Sequence, residues 1–458
     1  MNISVVGLGK LGAVLAAVAA GRGHHVTGVD IDPAVVNAVN TGVAPVQETG
    51  LDDLLARNVE RISATTQMES AVACSDITFV VVPTPSKPDG MFSLEFVLPA
   101  VRSIASVLRN STKYHLVVVS STVMPGAMES SIVPAMEHLS RKKCGLDFGV
   151  CYNPEFIALG SVIRDMLNPD MVLIGESDPV SGGILERFYG TLCAGSPPLV
   201  RTNFVNAELA KLALNTFVTT KISYANMLAE ICERLPGADA STVCAAIGLD
   251  SRVGAKYLKG AFGYGGPCFP RDNKAFLALS DHLCVDAALP KATDQINSRQ
   301  VQRLAGKLLE LSPRPESVSI LGMSYKPNTH VIEESQGVML AQHLLHSGVQ
   351  VVVYDPAAMP AVRSALKGPA YFASTMEECA AASSVLVIAT PWEEFKTLHP
   401  RHLRTAPPRP LVVDWWRILR PAEFLGTADY LGCGLGMEKV EQNSVCADAA
   451  PDLIGEQL

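Results

Sequence analysis

The 458-residue sequence predicts an α/β protein with two doubly wound domains joined by a long central helix. Three observations support this fold class. A glycine-rich turn follows the first apolar strand, an unusually long helical pattern occupies the middle of the chain, and a second strand–turn–helix–strand unit follows that helix. Two similar α/β halves that flank a helical connector imply a ligand in the cleft between them.

The composition is that of a well-packed soluble protein. The net charge is -8 with no basic block, so we expect no nucleic-acid partner. The apolar runs stay below the ~20 residues that a membrane span needs, and the N-terminus lacks the basic region of a signal peptide, so we expect no membrane partner. The 11 cysteines are scattered without Cys-x-x-Cys pairs or zinc spacing, which predicts no disulfide framework, no metal site and a cytoplasmic location.

The first unit is a βαβ segment with a dinucleotide-binding turn. Asn2–Val6 is predicted as a strand, Ala13–Ala20 as a helix, and His25–Val29 as a strand that ends at Asp30. A G-x-G-x-x-G turn precedes the helix and consists of Gly7, Leu8, Gly9, Lys10, Leu11 and Gly12. Its glycines allow a tight turn and close approach of a pyrophosphate, while Asp30 can bind ribose hydroxyls. We predict a Rossmann-like site for NAD rather than NADP, against the alternative of a plain α/β turn.

Two further strands of this unit end in polar turns. Ile77–Val82 leads into Pro83 and Thr84, and Leu116–Ser120 leads into a turn that contains Thr122. Ligands bind at the carboxyl ends of strands in such sheets, so we expect these turns to face the cofactor. The alternative is that proline, serine and threonine simply form loops here. Two more strands are predicted at Phe148–Cys151 and Met171–Ile174.

The long helical pattern runs from Asn206 to Arg234. Its length suits a helix that links two domains and offers a surface for dimerisation, and a buried core helix is a compatible alternative. Lys211 and Asn215 break its apolar face and share one side of the helix, because they are spaced i, i+4. They either point at an active site or form an ordinary surface pair with an extended lysine, and the residues alone leave both open.

One cysteine follows a glycine-rich, proline-stiffened turn, in the segment Gly263-Tyr264-Gly265-Gly266-Pro267-Cys268-Phe269-Pro270-Arg271-Asp272. Such a loop exposes a thiol at a defined place. A thiol near positive charge ionises more readily and becomes a nucleophile. The alternative is a tight turn that carries a small apolar residue.

A second α/β unit begins after Pro313 and Pro315. Its predicted elements are a strand at Ser317–Leu321, a turn at Gly322, a helix at Val338–Ser347, a strand at Val349–Tyr354 that ends at Asp355, and strands at Val385–Ala389 and Leu411–Asp414. The predicted organisation is therefore a Rossmann domain at 1–200, a helical domain with the cysteine loop at 201–300, a second Rossmann-like domain at 315–435 and a tail at 436–458.

Taken in order, these segments resemble the UDP-glucose/GDP-mannose dehydrogenase family. The specific matches are the cysteine loop, Asn153-Pro154-Glu155-Phe156 with Asn168-Pro169-Asp170, the helix from Ala207 to Asn215, Ile296-Asn297-Ser298-Arg299-Gln300, and Lys326-Pro327-Asn328-Thr329. The resemblance implies a homodimer through the central helix and a nucleotide sugar bound by residues 315–435. It also implies oxidation of the sugar's 6-hydroxymethyl group to a carboxylate with two NAD consumed.

The resemblance also implies the site residues. Cys268 would form a thiohemiacetal and then a thioester, Lys211 and Asn215 would stabilise oxyanions, Asp272 would order water and Lys211, and Glu155 and Thr122 would position the hydrolytic water. The cofactor set is Gly7, Leu8, Gly9, Lys10, Leu11, Gly12, Asp30, Pro83, Thr84, Thr122 and Arg271. The substrate set is Phe156, Ile157, Lys211, Asn215, Arg252, Tyr257, Leu258, Gly265, Lys326 and Arg417, with Arg252 reaching the substrate of the neighbouring subunit.

The chain departs from the family pattern near both ligands. Glu333 stands where an arginine normally reaches the cofactor, and this exchange should cost affinity unless another cation compensates. The other departures are Val35, Leu159, Met171, Gly260-Ala261, Pro267, Arg271 and Asp414-Trp415-Trp416-Arg417. The proposed chemical core is intact, so we expect dehydrogenase chemistry. A different nucleotide sugar in a specialised pathway, oxidation that stops at the aldehyde, and a non-catalytic nucleotide-binding protein stay open as alternatives.

Overall fold

The computed structural model describes residues 1–157 and 159–436, and in these ranges the chain forms two sheets joined by a long helix. The predicted fold class is confirmed. From residue 437 onward, the predicted tail lies outside the described residues. No helix within the described ranges combines the length and the hydropathy that crossing a membrane requires.

The first sheet occupies the N-terminal part of the described chain. Its strands are β1 (Asn2–Val6), β2 (His25–Val29), β3 (Ile62–Thr65), β4 (Ile77–Val80), β5 (Leu116–Val119), β6 (Gly149–Tyr152), β7 (Val172–Glu176) and β8 (Leu199–Thr202). They lie in the order β3-β2-β1-β4-β5-β6-β7-β8, and all pairs are parallel except β6–β7. Because the chain turns from one half of the sheet to the other beside β1, a ligand crevice opens at that point.

Helices cover both faces of this sheet. They are α1 (Gly12–Gly21), α2 (Pro33–Asn40), α3 (Leu51–Arg57), α4 (Met68–Ala73), α5 (Val97–Leu108), a π-helical turn (Met128–Ile132) continued by α6 (Val133–Ser140), α7 (Val162–Leu167) and α8 (Pro179–Leu192). Along β5, Leu116 and Val118 join one apolar cluster while Val117 and Val119 join another. Successive side chains of a strand point to opposite faces, so the sheet has a core on each side.

The central part of the chain is helical. It contains α9 (Phe204–Cys232), α10 (Ala240–Gly248), α11 (Phe269–His282) and α12 (Ala288–Leu309), and α9 packs against both α11 and α12. The helix predicted from Asn206 to Arg234 begins two residues earlier. The reason is a cap, since the Asn203 side chain accepts a hydrogen bond from the Asn206 N–H at 3.1 Å.

The second sheet is wholly parallel among the described residues. Its strands are β9 (Ser317–Leu321), β10 (Gln350–Tyr354), β11 (Ala370–Phe372), β12 (Val385–Ile388), β13 (Leu411–Asp414) and β14 (Asp429–Gly432), in the order β11-β10-β9-β12-β13-β14. Its helices are α13 (Gln336–His346), α14 (Met359–Ala365), α15 (Met376–Ala382) and α16 (Pro421–Phe424), with 3-10 turns at Glu393–Thr397 and Pro400–His402. The helix predicted at Val338–Ser347 begins at Gln336, because Ser335 serves as its cap.

A half-buried charged cluster joins the end of α9 to the second sheet. Glu233 accepts hydrogen bonds from Arg303 and Lys307 of α12, both at 2.7 Å, and from the Gly434 N–H at 3.1 Å. The Arg303 guanidinium lies 5.2 Å from the centre of the buried Trp415 ring. Burial raises the pKa of Glu233, but Arg303 and Lys307 outweigh it and hold that pKa below its usual value.

We expect Glu233→Gln to lower the free energy of unfolding by about 2 kcal/mol, since it leaves two cations without their carboxylate. The loss should shrink as pH falls, because a carboxylate with a lowered pKa stabilises the fold only while it is ionised. Urea unfolding followed by tryptophan fluorescence measures both effects. Glu230→Gln on the same helix, where Glu230 pairs with the exposed Arg234, is the control. Equal losses in the two variants would contradict the prediction.

Candidate active site

The turn between β1 and α1 has the shape of a phosphate cradle. Gly7 has a φ of +91°, and a Cβ there would lie 2.4 Å from the Val81 carbonyl oxygen. A Cβ at Gly12 would lie 1.8 Å from the Gly7 oxygen, whereas a Cβ at Gly9 would meet open space. α1 has no side-chain cap and no acidic residue in its first turn, so its first amides can receive an anion.

The end of β2 fits the nucleoside part of NAD. Asp30 accepts hydrogen bonds from the Leu8 N–H at 2.8 Å and the Asp32 N–H at 3.0 Å, which hold its carboxylate beside the turn. Ile31 is apolar and 93% exposed next to it, where a cation would be needed to bind a 2′-phosphate. Lys10 is exposed and Leu11 half-buried at the mouth of the turn. The residues present therefore fit NAD.

Lys211 and Asn215 are buried in the cleft, and each bonds a different segment. The Lys211 Nζ donates to the Glu155 carbonyl oxygen at 2.5 Å. The Asn215 Nδ2 donates to Asp272 Oδ2 at 2.6 Å. Of the two alternatives that the sequence left open, the surface pair is wrong, and the structure brings four of the predicted catalytic residues together.

Glu208 lies on the same face of α9, three residues before Lys211, and sequence reasoning assigned it no role. It is fully buried, and its carboxylate accepts from the Gly126 N–H at 2.6 Å and the Met128 N–H at 2.9 Å. These amides end the turn that carries Thr122, which is half-buried. Glu208 thereby ties the Thr122 turn to the helix that carries Lys211. A carboxylate within an apolar helix face was the signal that could have found it.

Cys268 stands immediately before α11, and its carbonyl oxygen accepts from the Asp272 N–H at 2.8 Å. The first turn of α11 thus places the Asp272 carboxylate near the Cys268 thiol, where its charge acts on the thiol. Asp272 is buried, and its Oδ1 has no hydrogen-bond partner within the described residues, although Arg271 Nε lies 3.7 Å away. Desolvation raises the pKa of Asp272, and Lys211, Arg271 and Asn215 lower it only in part. This carboxylate therefore has a free acceptor oxygen and an increased affinity for a proton.

The thiol itself differs from expectation. Cys268 is exposed to solvent. The protein atoms that surround its sulfur nevertheless desolvate the thiol, and this desolvation and the charge of Asp272 raise the pKa of the thiol. Lys211 and Arg271 oppose this rise and do not overcome it, while Glu333 adds to it. The expectation that nearby cations make this thiol ionise readily is therefore wrong for this structure. The thiolate fraction grows as pH rises, and a proton acceptor is needed near neutrality.

Arg271 links the cysteine helix to the cofactor side. Its Nη1 donates to the Thr84 carbonyl oxygen at 3.0 Å, and its guanidinium lies 4.6 Å from the centre of the Phe92 ring. Thr84 is buried and Pro83 exposed in the turn after β4. Arg271 thus holds the polar turn beside the NAD cradle, a contact that its position three residues after Cys268 did not predict.

The segment after β6 supplies Glu155, Phe156 and Ile157. Tyr189 donates to Glu155 Oε1 at 3.1 Å, and desolvation raises the pKa of Glu155 despite Tyr189 and Lys211. The Phe156 ring centre lies 4.9 Å from the Lys211 Nζ, and Ile157 packs on the first apolar cluster. Tyr189 comes from α8 and carries no local sequence signal that points to this site.

Three predicted substrate residues, Tyr257, Gly265 and Lys326, lie in or beside the cysteine loop, whereas Leu258 packs in an apolar cluster with α9 and α10. A Cβ at Gly265 would lie 2.2 Å from the Glu334 oxygen, so the loop packs tightly on the C-terminal domain. Tyr257 adopts a left-handed φ of 63° and is half-exposed, whereas Leu258 is buried. Desolvation lowers the pKa of Lys326, and the neighbouring acids and Cys268 offset this only in part. An enclosed lysine of this kind suits an anionic ligand.

Arg252 and Arg417 are engaged elsewhere. Arg252 is exposed and forms a 2.7 Å ion pair with Asp250. Arg417 has a φ of 53° and binds Asp239 through both guanidinium nitrogens and Ser241 Oγ at 2.9 Å. Within the described chain, neither arginine forms a side-chain hydrogen bond with Cys268, Lys211, Asn215 or Asp272. The structure therefore brings together only part of the residue set that the sequence predicted.

Comparison with known proteins agrees with this geometry. Models of the UDP-glucose/GDP-mannose dehydrogenase family match in three parts, as the NAD binding domain at 1–193, the central domain at 205–299 and the UDP binding domain at 319–421. UDP-glucose 6-dehydrogenase AglM of Haloferax volcanii is 36% identical over 429 residues, which are 93% of this chain and 99% of that protein. GDP-mannose 6-dehydrogenase of Pseudomonas putida is 37% identical over 359 residues, 78% of this chain and 81% of that protein.

A solved structure is similar over nearly the whole chain. The UDP-glucose dehydrogenase of Pyrobaculum islandicum has a TM-score of 0.84 and 33% identity, covering 95% of this chain and 98% of that one. The dinucleotide cradle and the domain matched as UDP-binding define an NAD-dependent oxidoreductase whose substrate is a nucleotide sugar. The chain belongs to the UDP-glucose/GDP-mannose dehydrogenase family and is a nucleotide-sugar 6-dehydrogenase.

We expect Gly12→Ala to weaken NAD binding by at least about tenfold, because the added Cβ would collide with the Gly7 oxygen and open the turn. Isothermal titration calorimetry with NAD measures the change. Gly190→Ala is the matched control, since a Cβ at this exposed position of α8 meets no atom within 4 Å. NAD affinity that is unchanged by Gly12→Ala would remove the turn from the cofactor site.

Proposed function

We propose that this enzyme oxidises the 6-hydroxymethyl group of a UDP-glucose-like nucleotide sugar to the carboxylate in two steps. Cys268 would carry the intermediate as a thiohemiacetal and then as a thioester. The observation that best supports this is the placement of Cys268 one helical turn before Asp272, which is itself held by Asn215 and influenced by Lys211. A thiol, a cation and a carboxylate with a free oxygen are the groups that acyl chemistry needs.

In the first oxidation the C6 hydroxyl loses its proton while its carbon loses a hydride. When bound, NAD accepts one hydride in each oxidation. The free Oδ1 of Asp272 accepts the proton, directly or through an ordered water, and its raised pKa suits that task. The Lys211 ammonium stabilises the oxygen as it becomes negative. The product of this step is the 6-aldehyde.

In the second half the Cys268 sulfur adds to the aldehyde carbon. Asp272 first releases the proton of the alcohol step to solvent and then accepts the thiol proton as the C–S bond forms. It returns this proton to the former carbonyl oxygen, which becomes the thiohemiacetal hydroxyl. Loss of the second hydride and of the hydroxyl proton yields the thioester. The raised pKa of Cys268 favours a protonated resting thiol, so sulfur attack is coupled to proton removal near neutral pH.

Water then cleaves the thioester. Glu155 is the proposed acceptor for the water proton, because desolvation raises its pKa and Tyr189 orients it. Thr122 would hold the water from the turn tied down by Glu208. Hydroxyl addition breaks the C–S bond, the thiol regains a proton, and the carboxylate is released. The balanced sum is alcohol plus water plus two NAD giving carboxylate, two NADH and three protons.

UDP-glucose is our first choice of substrate. Relatives named UDP-glucose dehydrogenases match this chain over almost its full length, and the solved one has a TM-score of 0.84. A solved GDP-mannose dehydrogenase also covers 94% of this chain, but its TM-score is only 0.54. The uridine side would lie against the C-terminal domain, near the enclosed Lys326. A panel of UDP-glucose, UDP-N-acetylmannosamine and GDP-mannose, with products identified by mass, tests this choice.

We expect two NADH per nucleotide sugar consumed, and Cys268→Ser should lower turnover by at least about 10³-fold while NAD affinity is kept. NADH absorbance at complete conversion measures the ratio. Cys284→Ser, which alters another exposed free thiol, should keep full turnover. One NADH per sugar would assign an enzyme that stops at the aldehyde. Full turnover in Cys268→Ser would exclude the covalent route, and no turnover with any nucleotide sugar would favour a binding protein.

We also propose that two copies pair through α9. One side of this helix exposes apolar residues at near-heptad spacing: Val205, Leu209, Phe217, Tyr224 and Ile231. Phe217 is 64% exposed, which is costly for a phenyl ring that stays in water. A second copy is the favoured occupant, because a two-fold axis lays this stripe against itself. The pairing would also allow Arg252, an exposed residue that pairs with Asp250 in this chain, to approach the partner's substrate.

We expect Phe217→Asp to yield a monomer, because the pair would bury two carboxylates in an apolar interface. Light scattering after size exclusion measures the mass, and the unaltered protein should give twice the 48.7 kDa of one chain. Val180→Asp, which changes an exposed apolar residue of α8, is the control and should stay dimeric. A wild-type mass of one chain would contradict the pairing.

Every cysteine in the described chain is a free thiol. This suits a reducing compartment, and we place the enzyme in the cytoplasm for that reason. Activity confined to the membrane or extracellular fraction of disrupted cells would contradict this placement.

A further inference from the structure

Tyr264, in the glycine-rich part of the cysteine loop, is held at both ends by one turn of α12. Its N–H donates to Asn297 Oδ1 at 2.7 Å, and its carbonyl oxygen accepts from Asn297 Nδ2 at 3.1 Å. Its hydroxyl donates a hydrogen bond to Asp294 Oδ1. Asp294 and Asn297 are spaced i, i+3 and therefore share one face of the helix. The helix thus sets both the position and the ring orientation of a single loop residue.

The ring of Tyr264 reaches the residue that follows the thiol. Its centroid lies 6.4 Å from that of Phe269 with an interplanar angle of 89°, an edge-to-face contact. Phe269 also meets the ring of Tyr257 at 6.3 Å and 78°. Tyr264 is only 5% exposed, so it has little room to move. A continuous path of contacts therefore runs from α12 through Tyr264 and Phe269 to Cys268.

The glycines on either side leave the loop little freedom to compensate. A Cβ at Gly263 would lie 2.2 Å from Asn297 Oδ1. A Cβ at Gly266 would lie 2.5 Å from the Tyr325 ring, and the Gly266 N–H donates to the Glu333 carbonyl oxygen at 3.0 Å. The loop is therefore wedged between α12 and the C-terminal domain. α12 holds the loop through its hydrogen bonds to Tyr264.

We propose that Tyr264 is a positioning residue for Cys268, and that the Asp294 and Asn297 side chains serve the reaction by holding it. The proposal rests on the proposed role of Cys268 as the nucleophile. Sulfur attack requires near-contact geometry, and a displacement of about 1 Å costs on the order of 10²-fold in rate. The hydrogen bond from the Tyr264 hydroxyl to Asp294 fixes the Tyr264 ring. The fixed ring packs against Phe269 and so holds the first residue of α11 in place.

Tyr264→Phe removes only the hydroxyl and is the central test. We expect kcat to fall about tenfold, with the KM for the nucleotide sugar and the Kd for NAD within about twofold of wild type. The alkylation rate of Cys268 by iodoacetamide should rise about threefold, because a loosened loop gives the desolvated thiol more access to water. Cys74 and Cys284 are exposed free thiols in the same chain and serve as internal references, by mass spectrometry of their peptides.

Substitutions at Asp294 separate positioning from simple stability. Asp294→Asn keeps an oxygen that can accept from the Tyr264 hydroxyl, so kcat should stay within about threefold of wild type. Asp294→Ala should behave like Tyr264→Phe, and the double variant should be no slower than either single variant, because both remove one interaction. Gln295→Ala, at an exposed position of the same helical turn, is the matched control and should leave kcat unchanged.

The proposal is overturned if Tyr264→Phe and Asp294→Ala leave both kcat and Cys268 alkylation within about twofold of wild type, whatever their melting temperatures. A loss of kcat in Tyr264→Phe that Asp294→Asn shares in full would also overturn it. The proposed function fails by a different result, namely full turnover in Cys268→Ser. The alkylation measurement reports the position of the thiol in either case.

Discussion

The buried polar face of α9 is the constraint on which the site depends. Four side chains on this helix each hold a different segment: Glu208 the Thr122 turn, Lys211 the Glu155 carbonyl, Asn215 the Asp272 carboxylate, and Asn226 the Ala261 N–H just before the cysteine loop. A helix is rigid and rises about 1.5 Å per residue, so it fixes the distances between the side chains along one face. Segments that come from two domains are therefore placed relative to one another by one element.

Close packing of glycine-rich backbone adds a second level of order. The NAD turn and the cysteine loop both place glycines where a Cβ would collide with a carbonyl oxygen, at Gly7, Gly12 and Gly265. Such contacts bring the main chain of one element against that of another and leave little room for either segment to move. The cofactor cradle and the thiol are thus held by backbone geometry, and side chains are left for the chemistry.

Burial, more than neighbouring charge, sets the protonation of the site. Desolvation raises the pKa values of Cys268, Asp272 and Glu155 together. Lys211 reduces all three shifts and Arg271 reduces those of Cys268 and Asp272, without reversing them. Three groups with raised pKa values in one cleft suit a reaction that must take up and pass on several protons. The same desolvation strengthens the effect of Lys211 on any oxygen that becomes negative.

The sequence by itself determined the two α/β halves, the long helix, the NAD turn and the pairing of Lys211 with Asn215 on one helix face. Periodicity and glycine spacing are local properties, so they can be read along the chain. Only the tertiary structure decided that Tyr189 meets Glu155, that Arg271 binds the Thr84 turn, and that the Cys268 thiol has a raised pKa. Those outcomes depend on contacts between distant segments and on the depth of burial, and neither leaves a local signal.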